Sequence, residues 1–312
     1  MTNYYEPPVA VDLQSTENKL VNTALTPLPK PYISGLKLQA DVKINELVLN
    51  TIDSNGVVWV VADIEGWWNL PDSEIPDLPR GWGDGSYDAL GRYGNRIITL
   101  SGSFLTQDPS QVPAARQKLL EAVNLVKTGA WLVVNETPAK AAYVRLSGTP
   151  SISTVKARGR TDFSVGFKAV DPIKYAYIDG NPDGYDYVDI AAGHSATVTN
   201  AGNTPVPVVF ATSGALHSTI SAPATIKNTT TNKIISIIDS TTSLQSLEID
   251  TRNREILLVE GDSVTNGRAK GAILVDWMYL DPGVNTIEFK DTSTPSGSSA
   301  SCRVFWRSGW IG

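Results

Sequence analysis

Residues Trp67–Phe104 read WWNLPDSEIPDLPRGWGDGSYDALGRYGNRIITLSGSF. Two textures meet in this stretch. Its last nine residues alternate cleanly: Ile98, Leu100, Gly102 and Phe104 fall on one face, and Thr99, Ser101 and Ser103 on the other. That period of two is a half-buried β-strand. The residues before it carry Pro71, Pro76 and Pro79 with Gly81, Gly83, Gly85, Gly91 and Gly94, and few alternating apolar positions. Such a run predicts no regular element. A loop of this length inside a domain is usually functional or flexible. It holds Trp68, Arg80, Trp82, Tyr87, Arg92 and Tyr93, the residue types of a contact surface. These six are the candidate interface residues. Either they reach a neighbouring subunit, or some of them fold the loop back onto its own sheet.

Outward from this stretch the pattern stays β. Upstream, Glu46–Ile52 and Val57–Glu65 flank Asp53-Ser54-Asn55-Gly56, a hairpin turn signal because Asn and Gly tolerate positive φ. Downstream comes the one convincing helix, near 110–128. Ser110 is its expected cap, Pro113 fits its first turn and Gly129 lies past its end. Val112, Ala115, Leu119, Ala122, Val123 and Val126 form its apolar stripe. Strands resume at Trp131–Val134, Lys140–Ser147, Ser151–Val155 and Asp162–Ala169.

The turn-forming cluster at Asp171–Gly184 marks a boundary. Beyond it, short strands recur at the spacing of an all-β sandwich: Val206–Ala211, Thr225–Asn228, Lys233–Ile238, Ser246–Asp250, Glu255–Val259, Ile273–Leu280, Asn285–Lys290 and Ser301–Trp306. Asp281-Pro282-Gly283 reads as a tight turn and Asp291–Ser299 as a mobile loop. The expected architecture is mainly β with one helix. An extended arm (1–34, with Pro7, Pro8, Pro27, Pro29 and Pro31) precedes an N-terminal domain (35–175) and a C-terminal sandwich (176–312). The arm is either a loose terminus or a segment that orders against a neighbour.

Composition excludes several function classes. The net charge of −6 argues against a protein that grips nucleic acid, because phosphate neutralisation needs a basic face. No apolar run is long enough to cross a bilayer, and Met-Thr-Asn-Tyr-Tyr-Glu is not a secretory leader. Cys302 is the one cysteine, so no intrachain disulfide forms; its alternating neighbours predict a buried structural residue. His194 and His217 match no zinc or triad spacing, and no Walker loop is present. Asp72, Glu74, Asp77, Asp84 and Asp88 read as solvated acids, without the rigid placement that hydrolysis or calcium binding needs. No enzyme activity, cofactor or metal is expected.

The order of elements resembles a known family. A hairpin, Gly66-Trp67, a long Gly/Pro stretch, Arg96-Ile97-Ile98-Thr99-Leu100-Ser101-Gly102 and one helix, closing on Phe167-Lys168-Ala169-Val170-Asp171-Pro172, is similar to the N-terminal domain of bacteriophage distal tail (Dit-like) proteins of long-tailed, non-contractile phages. Ile249-Asp250-Thr251, Arg254, Gly261, Trp277 and Leu280-Asp281-Pro282-Gly283-Val284-Asn285 resemble the family's galectin-like sandwich. The resemblance implies an N-terminal β-sandwich or belt domain that closes into a homohexameric ring between the tail tube protein and the hub. It implies a lumen for DNA and outward sandwiches that dock other tail-tip proteins. The implied location is the distal end of the virion tail, after assembly in the host cytoplasm. The alternative is a carbohydrate-binding adhesion module. Against it, neither histidine has the context of a galectin sugar site, and Trp277 sits in an alternating strand that reads as core.

Overall fold

The computed structural model describes residues 41–125, 127–153, 160–178, 180–181, 183–267, 272–291 and 300–312. The expected arm, Val126 of the helical stripe, Thr154–Val155 of an expected strand and most of the 291–299 loop lie outside the described residues. The chain divides into two compact units, each made of several chain segments: 1–65, 98–130 and 145–168 in one, and 66–97, 131–144 and 169–312 in the other. The fold is mainly β, with one α-helix among the described residues.

In the first unit the strand Arg96–Leu105 lies between Val58–Glu65 and Arg160–Ala169. The expected alternation holds: Ile98, Leu100 and Phe104 are fully buried. Phe104 faces Trp59 across the ladder, their rings 5.2 Å apart. Gly102 is required by close approach. A Cβ there would sit 2.3 Å from the Val60 carbonyl oxygen and 2.7 Å from Phe163.

The turn at Asp53–Gly56 forms as expected, with Gly56 at φ +76°. The Asp53 carboxylate organises it. One oxygen accepts from the Asn55 and Val57 amides, and the other from the Trp59 indole (3.2 Å) and the Lys118 ammonium (2.8 Å). Burial pulls the Asp53 pKa up, but the Lys118, Trp59 and backbone hydrogen bonds outweigh it, so the net shift is downward. Its contribution to stability is therefore complete above the unfolded aspartate pKa and is lost as pH falls through the lower folded value. Asp53→Ala should cost about 1–3 kcal/mol at neutral pH, read by urea unfolding, because two amides and a buried indole lose their acceptor. A cost no larger at pH 7 than at pH 2 would refute this role.

The helix spans Val112–Val123, and its buried face is Val112, Ala115, Leu119, Ala122 and Val123. Its ends differ from expectation. Asp108, not Ser110, supplies the capping oxygen, which accepts from the Ser110 amide at the start of a 3-10 turn, Pro109–Gln111. The helix stops about a turn early because Asn124 leaves helical geometry (ψ 70°) and directs Leu125, 2% exposed, into the core.

The second unit contains the sandwich. One sheet runs Asp186–Ala191, Ser301–Trp306, Val206–Ser213, Gln245–Asp250, Glu255–Glu260 and Ser263–Asn266, with Tyr279–Leu280 paired beside Val206–Ser213. The other runs His194–Asn200, Gly283–Lys290, Ala224–Asn228, Lys233–Ile237 and Ala272–Val275. Their inner faces share one core: Val208, Phe210, Ile249, Cys302 and Val304 from the first sheet, and Val198, Ile226, Ile235, Ile287 and Phe289 from the second. Cys302 is fully buried, and burial raises its thiol pKa, with Asp189 adding to the effect.

The expected strand Ile273–Leu280 is two pieces. Between them Asp276 pairs with the Ile234 backbone through both its amide and its carboxylate. Asp186–Ala191 and His194–Asn200 were not expected as strands, because only Ile190, Val198 and Asn200 along them are buried. A smaller group of strands completes this unit: Ala130–Val134 beside Lys140–Leu146, then Lys174–Ala176, then Gly309–Trp310.

Candidate interaction surface

The Gly/Pro-rich stretch is not structureless, contrary to the sequence expectation. It is a stepped hairpin. Ser73-Glu74 pairs with Arg92-Tyr93, and Leu78-Pro79 with Ser86-Tyr87. The tip closes where the Arg80 amide donates to the Gly85 carbonyl at 3.1 Å. Gly83 (φ +93°) and Gly85 (φ +87°) supply the left-handed backbone it needs. Two-residue ladders escape a periodicity search, and proline is tolerated in strands that are edges on both sides.

All six candidate residues are exposed. Trp82 at the tip is 97% exposed. The hairpin brings Arg80 over the Tyr87 ring (5.8 Å) and pairs Arg92 with Glu74 (2.8 Å). Trp68, Trp82 and Tyr93 make no ring contact with these. Leu70, Ile75, Leu78 and Leu90, also exposed, extend the apolar surface. Together they form a solvent-facing array rich in large apolar groups.

Two buried cations hold the hairpin's base. Arg96, 1% exposed, donates to the carbonyls of Pro172 (2.9 Å), Gly66 (3.0 Å), Trp67 (3.2 Å), Asn69 (2.6 Å) and Ile311. Burial lowers its pKa to about 10. Lys174, fully buried, donates to the Trp67 carbonyl at 2.9 Å and lies 5.0 Å from the Trp67 ring centre. Burial lowers its pKa to about 8, against the attraction of Glu136. Glu136 itself accepts from the Trp67 indole (3.0 Å) and pairs with Lys140 (3.3 Å). Sequence reading assigned no role to Arg96 beyond leading its strand, and none to Lys174. A cation flanked by apolar strand residues was the available signal.

Elsewhere in the unit, Arg252 and Arg307 line a pocket of about 200 Å³ with Tyr175 and Tyr185. Among the described residues, no group of three or more His, Cys, Asp or Glu side chains could hold a metal ion. No helix among them is long and apolar enough to cross a membrane.

With the sandwich and hairpin established, comparison with known proteins is informative. Residues 201–310 match the family model for the C-terminal domain of the siphovirus-type tail component, the SPP1 Dit family. Over these residues, about a third of the chain, the sequence is similar to Dit-like tail components. The fold agrees over a longer span. The crystal structure of the Dit protein of phage SPP1, described as a paradigm of the hub adsorption apparatus in phages infecting Gram-positive bacteria, superimposes with a TM-score of 0.58. It is 12% identical, and the match covers 86% of this chain and 98% of that one. A chain of the phage P2 baseplate in its activated conformation with calcium matches at a TM-score of 0.42 and 10% identity, over 85% of this chain and 97% of that one. No curated protein matches in sequence. The family match thus covers the sandwich, and the likeness across most of the chain is one of fold.

Proposed function

We propose that this Dit-like chain is a structural protein of the phage tail tip. Six copies form a ring that joins the tail tube to hub and receptor-binding proteins. Residues 35–175 close the ring, and residues 176–312 face outward as docking platforms. The arm, 1–34, clasps a neighbouring subunit. The observation that carries the reading is the Dit fold over 86% of the chain. The exposed aromatic and arginine side chains of the hairpin, Trp68, Arg80, Trp82, Tyr87, Arg92 and Tyr93, suit contacts with a neighbouring subunit or the adjacent tail ring. The net charge of −6 suits a lumen through which DNA slides without being held.

Light scattering with negative-stain imaging tests the ring. The expected particle has six times the 33.5 kDa chain mass and six-fold symmetry. A strict monomer, together with antibody labelling of virions anywhere but the distal tail, would overturn the proposal. The adhesion reading predicts exposed aromatics on the sandwich, and Tyr185, Tyr187 and Tyr279 are exposed there. Arg303, however, already covers the Tyr187 ring at 4.8 Å and is fixed by both oxygens of Asp189. That arrangement commits the Tyr187 face to a cation of its own chain.

A further inference from the structure

Arg145 and Lys168 stand directly opposite each other where Lys140–Leu146 pairs with Arg160–Ala169. Both are exposed, and among the described residues neither side chain has a carboxylate partner. Arg160, on the same strand as Lys168, is by contrast paired with Asp162 at 2.8 Å. Like charges directly opposite across a ladder destabilise it. A counter-charge from outside the sheet removes that cost.

The hairpin at 67–95 carries the opposite excess. It holds five carboxylates, Asp72, Glu74, Asp77, Asp84 and Asp88, against Arg80 and Arg92. Arg92 is taken by Glu74, and Arg80 lies over the Tyr87 ring. Asp84 and Asp88 are exposed towards the tip, with no cation on them among the described residues. Beside them Trp82 is 97% exposed. An indole face next to carboxylates complements a pair of cations: the ring attracts a guanidinium or ammonium, and the carboxylates neutralise it.

A hairpin that seats on a different patch of an identical chain makes a head-to-tail contact, and such contacts close into rings where the rotation allows it. One chain that carries both an uncompensated acidic patch and an uncompensated cationic one suits that arrangement. A two-fold contact of hairpin with hairpin would set acid against acid.

We propose that the hairpin tip of one copy docks on the Arg145–Lys168 face of the next, with Trp82 against the cations and Asp84 and Asp88 as their counter-charges. The inference rests on the ring reading for the identity of the partner, and it adds the surface that receives the hairpin.

Cross-linking of two single-site variants of the full chain tests it. Gly81→Cys puts a thiol at the hairpin tip, where an added Cβ meets nothing within 4 Å. Ser147→Cys puts one two residues on from Arg145. The native Cys302 is fully buried and stays silent. A short bismaleimide should link the two variants to each other when they are mixed, about tenfold or more above the linking of either to itself, and less as salt rises. Arg145→Glu with Lys168→Glu in the Ser147→Cys chain should cut the linking by about tenfold or more at an unchanged Tm, because the repulsion across the ladder keeps its size. Asp84→Lys with Asp88→Lys in the Gly81→Cys chain should restore it. Linking that survives the charge reversal, or that joins hairpin chiefly to hairpin, would overturn the proposal. Six-fold rings in negative stain without a link between the two sites would also overturn it and leave the ring standing. Linked chains without six-fold particles would support the contact and overturn the ring. If reversing Arg145 and Lys168 abolished binding to a DNA duplex while the linking stayed unchanged, the cation pair would belong to nucleic acid, and the proposal would fall.

Discussion

Arg96→Met is expected to cost about 3–5 kcal/mol, because several buried carbonyls lose their donor at about 1–3 kcal/mol each, with partial recovery. Arg96 is 1% exposed, and its hydrogen bonds run to main-chain carbonyls at Gly66, Trp67, Asn69, Pro172 and Ile311. Methionine fills most of the volume but donates nothing. Each carbonyl left dry costs about 1–3 kcal/mol, less whatever water or relaxation recovers. Trp67 keeps a donor in Lys174, so its carbonyl is the least affected. Arg96→Lys should recover only part of the loss, because an ammonium cannot reach all the acceptors fanned around a planar fork. Two measurements check this. Urea unfolding should show the lost stability. Limited proteolysis should show faster cutting within residues 67–95, because three of the five carbonyls lie at the start of the hairpin. A loss below about 1 kcal/mol, or unchanged cutting, would mean that Arg96 only fills space.

The same residue shows where sequence reading stops. Ile98, Leu100 and Phe104 declared their burial through a period of two, because a pleated strand turns alternate side chains to one face. The helix stripe was legible for the equivalent reason at helical spacing. Arg96 belongs to the same strand, yet nothing local shows that its partners lie at positions 66–69, 172 and 311. Hydrogen bonds to distant carbonyls leave no pattern in composition. The hairpin at 67–96 was missed because its ladders are two residues long and its register depends on turns at Gly83 and Gly85. Its exposed aromatic and arginine content was legible, since residue type alone reveals it. The Arg252–Arg307 pocket was not, because its lining is assembled from four stretches more than a hundred residues apart at their extremes. His194–Asn200 was unread as a strand because polar residues fill its outward positions and the sheet position is set by pairing with Gly283–Lys290.

Lys174 should behave in the opposite sense to Arg96, although the two cations share the Trp67 carbonyl. Its pKa falls from 10.5 to about 8, chiefly because burial disfavours the ammonium. A base whose folded pKa lies below its unfolded one binds fewer protons folded than unfolded between those two values. Stability therefore rises with pH across that window, by about 1.4 kcal/mol per pH unit from about pH 8 to about 10.5. Below pH 8 both states are protonated, and the full penalty, about 3 kcal/mol, is in place. Lys174→Met removes the charge, and Arg96 still donates to the Trp67 carbonyl. The variant should thus be more stable than the parent at pH 7, by about 1–2 kcal/mol once the lost hydrogen bond is set against the relieved desolvation. It should also lose the parent's rise in stability above pH 8. Urea unfolding of both proteins at half-unit steps from pH 7 to 9 reads both effects, within a range where Arg96, with a pKa of about 10, stays largely protonated. Parallel curves would show that Lys174 does not titrate in the fold. A variant weaker than the parent at pH 7 would show that the ammonium, like the guanidinium beside it, is held by more than it costs to bury.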